Sequence, residues 1–206
     1  MRDRIRGALI GLAVGDAVGT TVEFKAPGTF TPVTDMVGGG PFHLRPGEWT
    51  DDTSMALCLA ESLIECRGFD ARDQMQRYVK WWRHGYLSST GHFFDIGNAT
   101  RAALARFEQT GEPFSGSTDP HSAGNGSLMR LAPVTMFYVN RPEERIPACG
   151  ESSRTTHGAG GDRRVPVLRR AADRCDERSG KGGVAVADIF AGAGAVGTGA
   201  ARAQDQ

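Results

Sequence analysis

The sequence has no CxxC pair, no excess of either charge and little aromatic content. The four cysteines (Cys58, Cys66, Cys149 and Cys175) are scattered. That spacing argues against a zinc site or a disulfide frame, and for buried or free thiols in a reducing, cytoplasmic setting. Lys plus Arg and Asp plus Glu stand at 24 each, so net charge gives no electrostatic case for nucleic acid or membrane as a partner. The apolar run ALIGLAVG near the N-terminus meets Asp16 at once, short of the roughly 20 residues that cross a bilayer. Ile5, Leu9, Leu12 and Ala13 share one helical face, so the run reads as an amphipathic helix over 2–14 and not as a signal peptide. β-alternation never persists beyond a few residues. At 206 residues, one all-α domain is expected, complete or partial.

What the sequence does have is concentrated around Gly47-Glu48-Trp49-Thr50-Asp51-Asp52-Thr53-Ser54-Met55. Two adjacent carboxylates sit between hydroxyls, just ahead of apolar residues at helical spacing (Met55, Leu59, Leu63, Cys66). Thr50 or Asp51 is a good N-cap, which places the run where a loop turns into a helix over 52–66. Oxygen-only ligands at such a corner suit a hard cation such as magnesium. The plainer use of Asp51 and Asp52 is to complement the helix dipole.

Ahead of this corner lies a Gly/Pro/Thr-rich segment, 20–49, containing Glu23. It is too long for a simple connector and is expected to border a site or act as a lid. Downstream, helices are expected over 71–83, with a core stripe of Met75, Tyr78, Val79 and Trp82, then to a close near Phe107, and over 142–155. The last 48 residues hold one aromatic, Phe190, and clumped arginines. By composition they are a low-complexity, disordered tail.

Five separated segments then form a pattern: G-D-A-V-G with V-E-F (15–24), W-T-D-D-T-S-M (49–55), D-I-G-N-A-T-R (95–101), G-N-G-S-L-M-R-L-A-P (124–133) and T-H-G (156–158). In order and spacing they resemble the ADP-ribosylglycohydrolase family, over about residues 2–158. The resemblance implies an all-helical orthogonal bundle with a two-magnesium centre. It also implies hydrolysis of the glycosidic bond between ADP-ribose and a modified group, either a protein side chain, often arginine, or a small molecule. By the same resemblance Thr50, Asp51 and Asp52 are the N-terminal half of the metal site, and Glu23 is the flap glutamate beside it. Glu23, Asp51 and Asp52 are the carboxylates available for catalysis. Asp95, Gly97, Asn98, Asn125, Gly126, Ser127 and His157 are the substrate-binding candidates. Glycines at 97, 124 and 126 allow backbone N–H groups close to a pyrophosphate. Each has a plainer use: Glu23 as a loop acid, Asn125-Gly126 as a turn, His157 as a helix C-cap, Asp16 and Asp95 as caps or loop anchors.

The departure from the family pattern is at the C-terminal end. A second acidic metal motif of the G-D-T-D-T type is missing after His157, so half the metal ligands are absent and activity is expected to be impaired. With codons chosen to suit, a one-base shift through 160–170 reads E-A-I-D-A-C-R-Y-F-A, an amphipathic helix. The tail, 159–206, is therefore expected to be a frameshifted replacement of the family's second half. The competing expectations are a catalytically inactive ADP-ribose-binding remnant, and a structural helical protein whose T-D-D-T is only a cap.

Overall fold

The computed structural model describes residues 2–119 and 124–157, so the expectations for the 159–206 tail lie outside the described residues. Among the described residues seven α-helices run in chain order: α1 (Arg2–Gly19), α2 (Asp51–Glu65), α3 (Ala71–His84), α4 (Asn98–Thr110), α5 (Gly126–Met129), α6 (Ala132–Phe137) and α7 (Pro142–Thr156). Among the described residues there is no strand, only isolated bridges pairing Gly39 with Leu44 and Ser117 with His157. The fold is all-α.

α2 is the centre. Nine of its fifteen residues are buried, including Met55, Cys58, Leu59 and Leu63. A helix apolar on so many sides must be packed on several sides, and α2 contacts α1, α3, α5 and α6. The core around it takes Met75, Tyr78 and Trp81 from α3, Leu104 and Phe107 from α4, Val134 from α6, and Ala148 and Cys149 from α7. The expected α3 stripe is off by one position: Trp81 is buried, while Val79 and Trp82 are only partly so. Trp82 lies at the rim, with the Arg83 guanidinium 3.8 Å from its ring.

The inner face of α1 is the expected one, with Ile5 and Ala17 buried and Leu9, Leu12 and Ala13 half-buried. Two expectations need correction. The helix continues through Asp16 to Gly19, because that carboxylate bonds to α2 and is not left facing apolar surroundings. Counted over this longer span, Arg2–Val22 is long and apolar enough to cross a membrane by length and composition. Ile10 and Val14 are exposed on its outer side.

The segment from 20 to 49 is irregular apart from a 3-10 turn, Thr20–Val22, but it is tied down. Thr21 Oγ1 donates to the Gly38 carbonyl, and Gly39 and Leu44 exchange backbone hydrogen bonds of 2.7 and 3.0 Å. Gly40 (φ +68°) permits the closest approach: a Cβ there would sit 2.2 Å from the Thr20 carbonyl oxygen. The segment thus folds back onto the turn that carries Glu23.

Candidate active site

The corner at Thr50 is built from two helices. Thr50 has extended N-cap geometry, yet its side chain makes no capping bond to its own helix. Asp16 of α1 does that work instead. Its carboxylate accepts from Thr50 N (3.0 Å) and Oγ1 (2.7 Å), and from Thr53 N (3.1 Å) and Oγ1 (2.6 Å). With four donors from the α2 N-terminus, Asp16 ties α1 to α2 and serves as the structural anchor expected of it. Asp51 and Asp52, released from capping, are turned to other surroundings.

Those surroundings are acidic. Burial, then repulsion from Asp52, Asp95, Asp16 and Glu23, pushes the Asp51 carboxyl up to about 7. Burial and repulsion from Asp16, Glu23 and Asp95 push Asp52 up to about 6. Glu23, half-buried, is raised by burial and by Asp95, against a hydrogen bond from Thr20 Oγ1 that lowers it. Asp95 is raised by burial. Carboxyls raised together by burial and mutual repulsion make this corner a candidate functional site. Phe24, directly after Glu23, is a strained exception on the surface: it has φ +62° and is 80% exposed. Its ring meets Phe42, which meets Phe94 beside Asp95.

The donor set fits a hard divalent cation in part. Thr50, Asp51 and Asp52 supply only oxygens, and their mutual repulsion is the kind a cation relieves. Among the described residues no three His, Cys, Asp or Glu side chains converge as a closed metal cage requires. Thr50, Asp51 and Asp52 form an acidic, oxygen-lined wall.

A cleft of about 210 Å³ opens beside that wall, lined by Asp51, Gly97, Asn98, Ala99, Thr100, Gly124, Asn125, Gly126, Met129 and His157. Six of the expected residues are thereby brought together: Asp51, Gly97, Asn98, Asn125, Gly126 and His157. Gly97 is the extended N-cap of α4, and the first turn of that helix, Asn98 to Thr100, lines the cleft with it. Asn125, with helical backbone, leads into the single turn of α5. Thr50, Asp52, Glu23 and Asp95 stand outside the cleft lining, and Ser127 is buried beneath its floor, because α5 turns it inward. His157 both caps α7, through its N–H to the Ser153 carbonyl, and lines the cleft.

Three supporting residues fall inside the quoted motifs without having been given a role. Thr100 lines the cleft from within D-I-G-N-A-T-R. Arg130 is fully buried, donating to the Gly126 and Ser152 carbonyls and to Thr156 Oγ1. A charge inside the apolar run Leu128-Met129-Arg130-Leu131-Ala132 was the available signal for it. Thr156, bonded to both Arg130 and His157, stood in T-H-G, where the histidine alone was given a role.

Comparison with known proteins bears on this site. The family model described as ADP-ribosylglycohydrolase matches residues 1–164. The ADP-ribosylarginine hydrolase Tri1 of Serratia proteamaculans (strain 568) is 49% identical over 157 residues, covering 76% of this chain and 43% of that protein. The ADP-ribosyl-[dinitrogen reductase] glycohydrolase of Rhodospirillum rubrum is 35% identical over 164 residues, covering 76% and 52%. A solved structure, "ADP-ribosylglycohydrolase-related protein complex", superposes with a TM-score of 0.70 at 48% identity, over 84% of this chain and 57% of that one. The chain spans about half the length of the curated relatives it matches. The ordered motifs, the helical fold and these matches agree, and the chain belongs to the ADP-ribosylglycohydrolase family.

Proposed function

We propose that the cleft binds ADP-ribose and that the acidic wall beside it hydrolyses the glycosidic bond joining ADP-ribose to a modified group. An ADP-ribosylated arginine side chain is the foremost substrate, a small-molecule conjugate the other. The observation that carries the reading is the juxtaposition of Asp51 with the N-terminus of α4, at Gly97-Asn98, and with the Asn125-Gly126 turn around one cleft. Helix N-termini favour anionic oxygens such as a pyrophosphate, whereas a carboxylate wall stabilises the positive charge that develops on a ribose carbon as its glycosidic bond breaks. At about 210 Å³ the cleft is smaller than the roughly 300–1,000 Å³ of a whole drug-sized ligand pocket. It suits part of ADP-ribose.

Thr50, Asp51 and Asp52 would hold magnesium, with Glu23 beside it. When bound, the cation supplies Lewis acidity and lowers the pKa of a nearby water. The chain's own residues do the rest. Asn98, Asn125 and His157 orient the ligand, and Glu23, whose proton affinity is raised, is suited to handle a proton at the scissile bond. Water adds to the anomeric carbon, the carbon–nitrogen bond to the guanidine breaks, and that nitrogen takes a proton as it leaves. The frameshift expected at the tail and the missing second ligand set belong to the same proposal, with weakened turnover as their consequence.

The test is magnesium-dependent release of free ADP-ribose from an ADP-ribosylated arginine peptide. Release that stops with EDTA and with Asp51→Asn supports hydrolysis. The partial metal wall favours one second reading, an ADP-ribose-binding module without turnover. Binding of ADP-ribose with no release under any metal condition would select it, and neither binding nor release would remove both.

A further inference from the structure

A chain of buried hydrogen bonds runs from the core to the cleft. It begins at Arg130, whose guanidinium lies 5.0 Å from the Tyr78 ring centroid. Arg130 Nη1 donates to the Gly126 carbonyl; Nη2 donates to the Ser152 carbonyl (3.3 Å) and to Thr156 Oγ1 (2.7 Å). Thr156 Oγ1 in turn lies 2.9 Å from His157 Nδ1. All of Arg130, Thr156 and His157 are buried.

One direction here is fixed by chemistry. A guanidinium has donors only, so Thr156 Oγ1 accepts from Arg130. The hydroxyl keeps its own proton to give, and His157 Nδ1 at 2.9 Å is the partner that can take it. A ring nitrogen that accepts carries no proton, which leaves the proton of neutral imidazole on Nε2. That nitrogen is on the cleft side: a Cβ on Gly124 would lie 3.5 Å from it, and one on Gly126 3.6 Å.

We propose that Arg130 and Thr156 are positioning residues that hold His157 as its Nε2–H tautomer, so that the cleft offers a neutral donor beside the Gly124–Gly126 turn. This rests on the reading of the cleft as an ADP-ribose site. The ligand atoms it suits are the oxygens of the pyrophosphate and ribose. The opposite tautomer would aim a lone pair at the same oxygens and repel them. Arg130 also fixes the Gly126 carbonyl, so one buried cation sets both the ring and the turn. Its Nε has no hydrogen-bond partner among the described residues.

Long-range 1H–15N spectra of the full, 15N-labelled chain test this directly. They are taken at about pH 8, above the ordinary histidine range, with the ring assigned through His157→Gln. The wild type and Thr156→Ser are expected to show the Nε2–H pattern. Thr156→Val, which keeps the shape and loses the hydroxyl, is expected to give a tautomer mixture. Calorimetry with free ADP-ribose is expected to show affinity about tenfold weaker in Thr156→Val, and within about twofold of wild type in Thr156→Ser. An Nδ1–H ring in the wild type overturns the proposal even if Thr156→Val fails to fold; so does a Thr156→Val chain with unchanged tautomer and affinity. If the tautomers behave as expected but the wild type does not bind ADP-ribose, the relay stands and the ADP-ribose reading of the cleft falls.

Discussion

A Cβ added to Gly126 would meet Thr100 Oγ1 at 2.8 Å and His157 Cε1 at 3.0 Å, whereas one added to Gly97 would meet nothing within 4 Å. The two glycines therefore separate packing from ligand approach. Gly126→Ala is expected to lower stability by about 1–2 kcal/mol, because Thr100 and His157 are buried and must shift. It should also weaken ADP-ribose binding. Gly97→Ala is expected to leave the melting temperature within about 1 °C of wild type while weakening ADP-ribose binding about tenfold, since its methyl would stand where the ligand backbone contacts fall. Thermal melts and ADP-ribose titration of the two variants check both. Equal binding by wild type and Gly97→Ala would remove close backbone approach at α4. Much of this site was legible at residue level: Asp51, Gly97, Asn98, Asn125, Gly126 and His157 carried motif signals and converge on one cleft. Ser127 did not follow, because a motif names a turn of helix without saying which of its side chains points inward. Thr156 stood in the T-H-G motif, but its role was not readable there, because its buried hydroxyl meets a partner 26 positions earlier in the chain.

At the scale of elements, α1 and α2 are joined through one carboxylate. Removing Asp16 leaves two backbone N–H groups and two hydroxyls of the α2 N-terminus without their acceptor. Hydrogen bonds to a charged group contribute roughly 1.5–3 kcal/mol each but are not additive. Asp16→Ala is therefore expected to cost about 3 kcal/mol in urea unfolding, and Asp16→Asn less, since it keeps an acceptor oxygen. A loss under 0.5 kcal/mol would mean that α2 caps itself. Leu59, fully buried at the middle of α2, is the comparison: Leu59→Ala is expected to cost about 3 kcal/mol by opening a cavity in the core. The start of α2 was readable from Thr50-Asp51-Asp52, because acidic residues after a hydroxyl N-cap favour a helix start. The cap itself was not, because the capping side chain comes from 34 residues earlier. The same long-range bond explains why α1 runs on past Val14: an aspartate in an apolar helix looks like a stop until its partners are known.

The whole molecule holds opposed sets of carboxylates, and they set how its stability depends on pH and on cations. Asp51, Asp52, Glu23 and Asp95 bind protons more tightly in the folded chain than carboxyls ordinarily do, through burial and mutual repulsion. A raised folded pKa makes its contribution to stability largest below the unfolded value of about 4, and that contribution is lost as pH rises through the folded value. For Asp52 and Asp51 the loss runs up to about 6 and about 7. Asp73 is shifted the other way by its pairing with Arg77 on α3, so its stabilisation is present above pH of about 4 and lost on acidification. The cation-free chain is therefore expected to be most stable near pH of about 5 and to melt progressively lower toward pH of about 8. Magnesium should reverse the loss only where the carboxyls are ionised, because protons and cation compete for the same oxygens. Melting curves with EDTA or with magnesium, across that range, carry the decision. A magnesium-induced rise that is large at the alkaline end, small at the acid end and absent in Asp51→Asn would locate the cation at this wall. A rise independent of pH, or one that survives Asp51→Asn, would place cation binding elsewhere and leave the acidic cluster as a destabilised site awaiting a partner surface. That distinction matters for a chain spanning about half of its relatives, since ligands supplied from outside it would add to the same wall.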